Sequence, residues 1–240
     1  MDQKIYQAYI DILREELVPA MGCTEPIAVA YAGALARKAL GALPDRVELC
    51  VSGNIIKNVK SVIVPHTGGR KGLKVAVAVG LCCGDPDAEL EVISGVTEEQ
   101  LRALDRYLER VAVKITGSKA NCPFDVQVTA YHGEDSSYAR IIGHHTNLVS
   151  LKKNDTVLVD VPFQDDVVQA PENRKLLDVE HIVEFADEVK IPDVQLILQR
   201  QIDYNMAIAQ AGMDGSYGAT IGKILLKSYG NCVQNRAKAW

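Results

Sequence analysis

A cysteine at the start of an apolar, alanine-rich segment is the residue best placed for chemistry in this sequence. Cys23 lies in the stretch Pro19-Ala20-Met21-Gly22-Cys23-Thr24-Glu25-Pro26. Thr24 is a good N-cap, and the glutamate and proline that follow suit the first turn of a helix. The partial positive charge of a helix N-terminus favours a thiolate, so we expect a lowered pKa for Cys23. A small apolar residue in a tight turn is the alternative.

A glycine-rich loop with two cations is a second candidate. Pro65-His66-Thr67-Gly68-Gly69-Arg70-Lys71-Gly72 lets backbone N–H groups point at one place, and Arg70 and Lys71 add positive charge. That combination suits a carboxylate or a phosphate. The spacing is not that of a Walker A loop. A tight turn with two solvated cations fits the same residues equally well.

Two more polar stretches complete the candidate residues. Ser52-Gly53-Asn54-Ile55-Ile56-Lys57-Asn58 is rich in side-chain donors, and its Gly53-Asn54 is predicted to form a polar turn between two strands. The second stretch is Gly143-His144-His145-Thr146-Asn147, at a predicted turn between strands. Adjacent residues of a strand face opposite sides, so we expect at most one of the two histidines to face a given site.

Composition restricts the class of protein. A net charge of −5 and a pI near 5.6, without a basic stripe, argue against a general nucleic-acid binder. No apolar run reaches the length of a membrane span, and the charged N-terminus does not resemble a signal peptide. Six cysteines without a CxxC pair indicate reduced thiols, so we expect a cytoplasmic globular protein.

The order of the predicted elements favours an α+β fold with an antiparallel or mixed sheet. Helical spacing covers both ends of the chain, and residues 73–83 also favour a helix. Thr97 and Gln100 form a capping pair, and Asp2, Asp178 and Asp193 are predicted to start helices. A further helix is predicted from Tyr217 to Tyr229. Strands are predicted at 46–52, 59–64, 111–115, 126–130, 139–143, 148–151 and 157–161. We expect a helical part made of residues 1–43 and 190–240, with an α+β domain at 44–189 between them.

Taken together, the motifs resemble the L-cysteine desulfidase family, which is related to the alpha part of bacterial iron–sulfur L-serine dehydratases. The resemblance rests on the Pro19–Pro26 stretch, Ser52-Gly53-Asn54 with Lys57-Asn58, the loop from Thr67 to Gly72, and His145-Thr146-Asn147. Tyr217-Gly218, Gly222-Lys223 and Asn235-Arg236-Ala237 also match. It covers nearly the whole chain.

The resemblance implies β-elimination, in which L-cysteine gives sulfide, ammonia and pyruvate. It also implies an oxygen-labile [4Fe–4S] cluster, held by three cysteines, whose open iron acts as a Lewis acid. Cys23 matches one of those ligands. The resemblance further implies a substrate pocket with Lys57 or His145 as acid or base. Its binding residues would be Ser52, Asn54, Thr67, Gly68, Arg70 and Lys71.

The family's other two cluster cysteines match nothing in this sequence, and family members are longer. We therefore expect this chain to be an N-terminal portion of an enzyme and to be inactive by itself. The intact enzyme could form a homodimer. Three alternatives stay open: L-cysteine as the substrate, L-serine as the substrate, or a non-catalytic module that binds a small anion.

Overall fold

The structure is a computed structural model that describes residues 1–19, 22–163 and 172–240. Its helices and strands in chain order are α1 (Gln3–Glu16), α2 (Thr24–Leu40), β1 (Arg46–Val51), α3 (Gly53–Val59), α4 (Leu73–Cys83), α5 (Glu98–Arg110), β2 (Ala112–Gly117), β3 (Asp125–His132), β4 (Asp135–Ile142), β5 (Leu148–Lys153), β6 (Thr156–Asp160), α6 (Val179–Glu188), α7 (Ile191–Asp214), α8 (Ile221–Tyr229) and α9 (Val233–Ala239). Most of the predicted connection 162–171 lies outside the described residues.

The chain divides into two compact units. One contains residues 1–19 and 170–240, and the other contains residues 20–169. The predicted boundaries after 43 and before 190 differ from this division. Helix α2 belongs to the second unit because it packs on the sheet and on α4, and α6 belongs to the first because Phe185 packs in its core.

The second unit is built on one six-stranded sheet in the order β2-β1-β3-β4-β5-β6. Strands β1 and β2 are parallel, and every other neighbouring pair is antiparallel. The parallel pair requires a crossover, which α3, α4 and α5 provide. The predicted α+β class with a mixed sheet is confirmed.

One predicted strand is wrong. Residues 59–64 are not a strand, and the preceding Gly53 and Asn54 are not a turn, because residues 53–59 form α3. Ile55 and Val59 lie four residues apart and are both fully buried, so the helical period places both on the core face. In the segment after α3, one isolated antiparallel β-bridge pairs Ile63 with Lys71 of the glycine loop.

The alanine and glycine residues of α2 allow the close helix packing that the sequence predicts. A Cβ atom added at Gly80 of α4 would lie 1.9 Å from the Ala30 carbonyl oxygen of α2. One added at Gly33 of α2 would lie 2.8 Å from the Val77 carbonyl oxygen. The backbones therefore touch at this crossing, which fixes the position of α2 and of the residues at its N-terminus.

The first unit is helical. Asp2 and Asp178 cap α1 and α6, as predicted, and the Thr97–Gln100 capping box of α5 in the second unit is also confirmed. Helix α7 begins at Ile191 rather than at Asp193, and α8 begins at Ile221 rather than near Tyr217. Among the described residues, none of the helices has both the length and the apolar character needed to cross a bilayer.

Candidate functional site around Cys23

Cys23 is the N-cap of α2. Its backbone is extended, with φ −62° and ψ 119°, and Thr24 is the first helical residue. The prediction that Thr24 caps the helix is therefore wrong by one residue. The Thr24 hydroxyl contacts His145 instead of the backbone N–H groups of the first turn. Ala20 and Met21 of the same motif lie outside the described residues.

The Cys23 thiol donates a hydrogen bond to the Glu25 carboxylate, with Sγ 3.0 Å from Oε2. Partial burial and this bond both raise the pKa of Cys23. The predicted lowering is wrong because partial burial of the thiol and its hydrogen bond to the Glu25 carboxylate outweigh the effect of the helix N-terminus. The same bond lowers the pKa of Glu25. Without another positive charge nearby, this thiol is protonated at neutral pH.

Asn58 links α3 to the same carboxylate. Its Nδ2 donates to Glu25 Oε1 at 3.1 Å, so the two oxygens of Glu25 connect Cys23 with α3. Asn54 and Lys57 lie exposed on α3. Ser52 differs, because its side chain is buried and Oγ donates to the Pro123 carbonyl at 2.7 Å. Its hydroxyl anchors the start of α3 and is already engaged.

His145 lies in the turn between β4 and β5 and is half-buried. Its Nε2 is 2.9 Å from Thr24 Oγ1, and its ring packs against Phe124 with the centroids 4.4 Å apart. Burial lowers the pKa of His145; Glu25 partly opposes this shift and His144 adds to it. His144 itself is exposed, so one of the two histidines faces the site, as expected.

The glycine loop begins beside the motif. Gly22 has a φ of +125°, and a Cβ atom there would lie 3.6 Å from Pro65 Cγ. Thr67 is fully buried, and its hydroxyl lies 2.7 Å from the Val64 carbonyl oxygen and 3.2 Å from that of Arg70. Thr67 therefore fixes the turn, and its side chain does not reach a ligand.

Arg70 is held by Asp105 of α5. Its Nε is 2.7 Å from Oδ1 and its Nη2 is 2.6 Å from Oδ2, a two-pronged ion pair. Its Nη1 donates to the Thr67 carbonyl. The predicted role of Arg70 in binding a substrate carboxylate disagrees with this geometry, because the guanidinium already binds a carboxylate.

Lys57 and Lys71 are the exposed candidate cations. Neither forms an ion pair with any residue in the described part of the chain.

Gly68 is exposed, has a φ of +64°, and would place a Cβ atom 2.9 Å from Arg70 Nη1. This glycine therefore lets the Arg70 side chain fold back over the loop.

The structure thus joins three separate motifs at Cys23, Thr24, Glu25, Asn58 and His145. Sequence reasoning named Cys23 and His145, but it gave Glu25 only a place in the first helical turn and gave Asn58 no contact with the cysteine. The hydrogen-bonding capacity of a carboxylate two residues after the cysteine was the available signal for Glu25. No comparable signal existed for Phe124, because its contact with His145 depends on the pairing of β3 with β4.

Within the described ranges there is no group of three or more His, Cys, Asp or Glu side chains arranged to hold a metal ion. All six cysteines are free thiols. In the described residues, the Cys23 thiol and the Glu25 carboxylate that accepts its hydrogen bond are the groups at this position that could ligate a metal.

Comparison with known proteins gives relatives whose names state no activity. The sequence is 47% identical over 236 residues to the UPF0597 protein of Desulfitobacterium hafniense, covering 98% of this chain and 55% of that protein. It is 42% identical over 228 residues to the UPF0597 protein of Treponema denticola, covering 95% of this chain and 53% of the relative. It is 39% identical over 246 residues to the UPF0597 protein of Fusobacterium nucleatum, covering 100% of this chain and 57% of that protein.

No family model matches the sequence, and no solved structure matches it. Nearly all of this chain aligns with these curated UPF0597 proteins, and it spans about half of their length.

Proposed function

We propose that this chain supplies one cluster ligand and part of the substrate pocket of an iron–sulfur β-elimination lyase. The substrate proposed is L-cysteine, with sulfide, ammonia and pyruvate as the products. The observation that carries the proposal is the pair of contacts Thr24–His145 and Glu25–Asn58. Three stretches that resemble the same family converge through them on one half-buried cysteine.

The residues present fit one ligand of a cluster rather than a whole cluster. A [4Fe–4S] centre is held by cysteine thiolates, and the described residues contain no complete donor group. Cys23 is partly exposed at the N-terminus of a long helix, where an iron atom held by other ligands could reach its sulfur. When bound, the cluster would supply a Lewis acid for the leaving group. The remaining ligands are proposed to lie in the further length that the relatives possess.

Two kinds of side chain in this chain would act on the substrate. Lys71 and Lys57 are the cations proposed to bind its carboxylate, since Arg70 is paired with Asp105. His145 is proposed as the base that accepts the proton from Cα. Burial lowers its pKa, which keeps the imidazole neutral and able to accept a proton at pH 7. Thr24 would hold the ring in one orientation.

The Arg70–Asp105 pair bears on the alternative of a non-catalytic anion-binding module. That reading relies on the loop cations, and one of the two is already neutralised. The lyase proposal uses only Lys71 of this loop, together with the residues around Cys23.

The test uses the longer protein, with the length found in the relatives. We expect anaerobic reconstitution with iron and sulfide to give brown protein that releases sulfide from L-cysteine, with less turnover of L-serine. Cys23→Ala should lose both the colour and the activity. Cys232→Ala, a change at an exposed cysteine of the first unit, should keep both. A Cys23→Ala variant that stays brown and active would refute the proposal.

A further inference from the structure

The helical first unit exposes most of its large apolar side chains. Among the described residues, most of the exposed large apolar side chains lie in this unit, although it is the shorter of the two. Its main buried cluster is small and is formed by Tyr9, Ile10, Phe185 and Val194. Single exposed apolar residues are ordinary, but a concentration of them on one set of helices marks an interaction surface.

Helix α7 is covered only near its start. Val194 and Ile197 are buried, and Val194 packs with Phe185 of α6. After Ile197 the helix continues to Asp214 without another buried residue. More than half of this long helix therefore lacks a partner in the described part of the chain.

The uncovered part of α7 is apolar on two sides. Residues spaced three and four apart share one side of a helix. The two apolar stripes found in this way are Ile202, Met206, Ala209 and Met213, and Tyr204, Ile208 and Ala211. A narrower polar side remains, formed by Gln199, Asp203, Gln210 and Asp214. A helix that is apolar over most of its circumference belongs in a buried position, yet Ile208 is 71% exposed here.

Helix α8 contacts the end of α7 and leaves another side uncovered. Lys223 Nζ lies 3.4 Å from the Asp214 carbonyl oxygen, at the end of α7. Ile221 and Ile224, three residues apart on α8, are exposed. We define the α7–α8 surface as the exposed residues Ile202, Tyr204, Met206, Ile208, Ile221 and Ile224.

The further length of the relatives supplies an occupant for this surface. The alignment with the Desulfitobacterium hafniense protein covers 98% of this chain, so the relative shares the helices of the first unit. It covers only 55% of that protein, which leaves a polypeptide nearly as long as this chain. A segment joined covalently to these helices has an effective concentration in the millimolar range. It therefore occupies an apolar surface in preference to a separate second copy at ordinary protein concentrations.

A lipid surface fits the α7–α8 surface less well. Helices that lie on membranes carry lysine and arginine along their polar side. The polar side of α7 carries Asp203 and Asp214 instead, together with two glutamines. Anionic headgroups would repel these carboxylates.

We propose that the α7–α8 surface is the docking site for the polypeptide that the longer relatives have in addition to this chain. The docked polypeptide contributes uncharged, apolar side chains, which complete a core that the first unit forms only in part. The two stripes of α7 are then buried from both sides, and the polar side stays in water. The proposal does not rest on lyase chemistry.

Photochemical cross-linking in the longer protein identifies the occupant. Tyr204→p-benzoylphenylalanine places a photoreactive group on the surface, and Leu196→p-benzoylphenylalanine is the matched control. Leu196 is 83% exposed on the polar side of α7, seven residues before Asp203. We expect position 204 to cross-link, within one molecule, to a peptide outside the 240 residues of this chain, and position 196 to give little product.

Denaturing electrophoresis and peptide mapping distinguish the outcomes of this experiment. A product that joins two copies would make a second molecule the occupant and overturn the proposal. Cross-links from position 204 only to peptides within these 240 residues, or no cross-link at all, would overturn it as well.

A pair of aspartate substitutions tests the same surface by stability. In the longer protein, Ile208→Asp would place a charge in the docked interface, so we expect the unfolding equilibrium constant in urea to rise at least about tenfold. Leu196→Asp, on the polar side of the same helix, should change it by about twofold or less. Equal effects of the two changes would contradict docking at Ile208. Neither experiment measures a cluster or turnover, so this proposal and the lyase proposal can fail separately.

Discussion

Thr24 Oγ1 and His145 Nε2 lie 2.9 Å apart, although 121 residues separate them in the sequence. The contact joins the first turn of α2 to the turn between β4 and β5. Because α2 is fixed by its close crossing with α4, the position of His145 relative to Cys23 is set by the core of the second unit. The proposed base and the proposed iron ligand are therefore parts of one rigid arrangement.

Thr24→Val removes this hydrogen bond with little change in side-chain volume. We expect the free energy of unfolding to fall by about 1 kcal/mol, the usual contribution of such a bond. Urea denaturation followed by circular dichroism measures the change. Thr116→Val, at an exposed position on β2, is the matched control and should have a much smaller effect. Equal effects of the two changes would mean that the Thr24–His145 contact contributes nothing.

His145 should make stability depend on pH in a defined direction. Its pKa is lowered in the folded state, so between that pKa and the unfolded value of about 6.5 the unfolded chain binds more protons. Stability is complete above about pH 6.5 and is lost as the pH falls through that window. NMR titration of the imidazole measures the pKa of His145, and urea denaturation measures the stability. Both are followed over about pH 5–7, a range around the ordinary histidine pKa of about 6.5.

Two histidine variants provide the comparison. His145→Gln should flatten this part of the pH profile, whereas His66→Asn, at an exposed position with a positive φ that asparagine tolerates, should leave it unchanged. An imidazole of His145 that titrates above 6.5 in the folded protein would contradict the assignment of a buried neutral ring.

Arg70 and Asp105 should behave as one structural unit. Arg70→Ala and Asp105→Asn each break the pair that ties the glycine loop to α5, so we expect the same change in kcat/KM from both in the reconstituted longer protein. The double variant should add little to either. Lys71→Ala, in contrast, should raise KM. If Arg70→Ala raised KM and Asp105→Asn did not, Arg70 would bind the substrate after all.

Local signals predicted most of the helices and strands. The Thr97–Gln100 capping box and the Asp2 and Asp178 caps depend on residues within three positions of each other, so the sequence displays them directly. Helix α3 was missed because Gly53 and Asn54 resemble a turn, while the burial that decides the matter, at Ile55 and Val59, comes from tertiary packing.

The candidate site was harder to predict, because partners far away in sequence decide its electrostatics. Arg70 looked free for a ligand, and its partner Asp105 lies 35 residues away. The helix N-terminus suggested a lowered pKa for Cys23, but partial burial and the hydrogen bond to Glu25 raise it instead. Two contacts, Thr24 with His145 and Glu25 with Asn58, join stretches on which the family resemblance rests, and the spacing within each stretch gave no sign of these contacts.

Gly80 should tolerate no side chain. In Gly80→Ala the new Cβ would be 1.9 Å from the Ala30 carbonyl oxygen, so α2 and α4 must move apart. We expect a loss of about 3 kcal/mol in the free energy of unfolding, at the upper end of the usual cost of overpacking. Gly95→Ala, where a Cβ atom meets nothing within 4 Å, should change stability little under the same urea denaturation.

The central claim is that the Cys23 sulfur binds iron, and thiol footprinting of the longer protein tests it most directly. The protein is treated with iodoacetamide before and after anaerobic reconstitution, and each cysteine is then quantified by peptide mapping. We predict that reconstitution protects Cys23 while the exposed Cys232 is alkylated equally in both states. Cys23 alkylated to the same extent before and after cluster assembly would contradict the account.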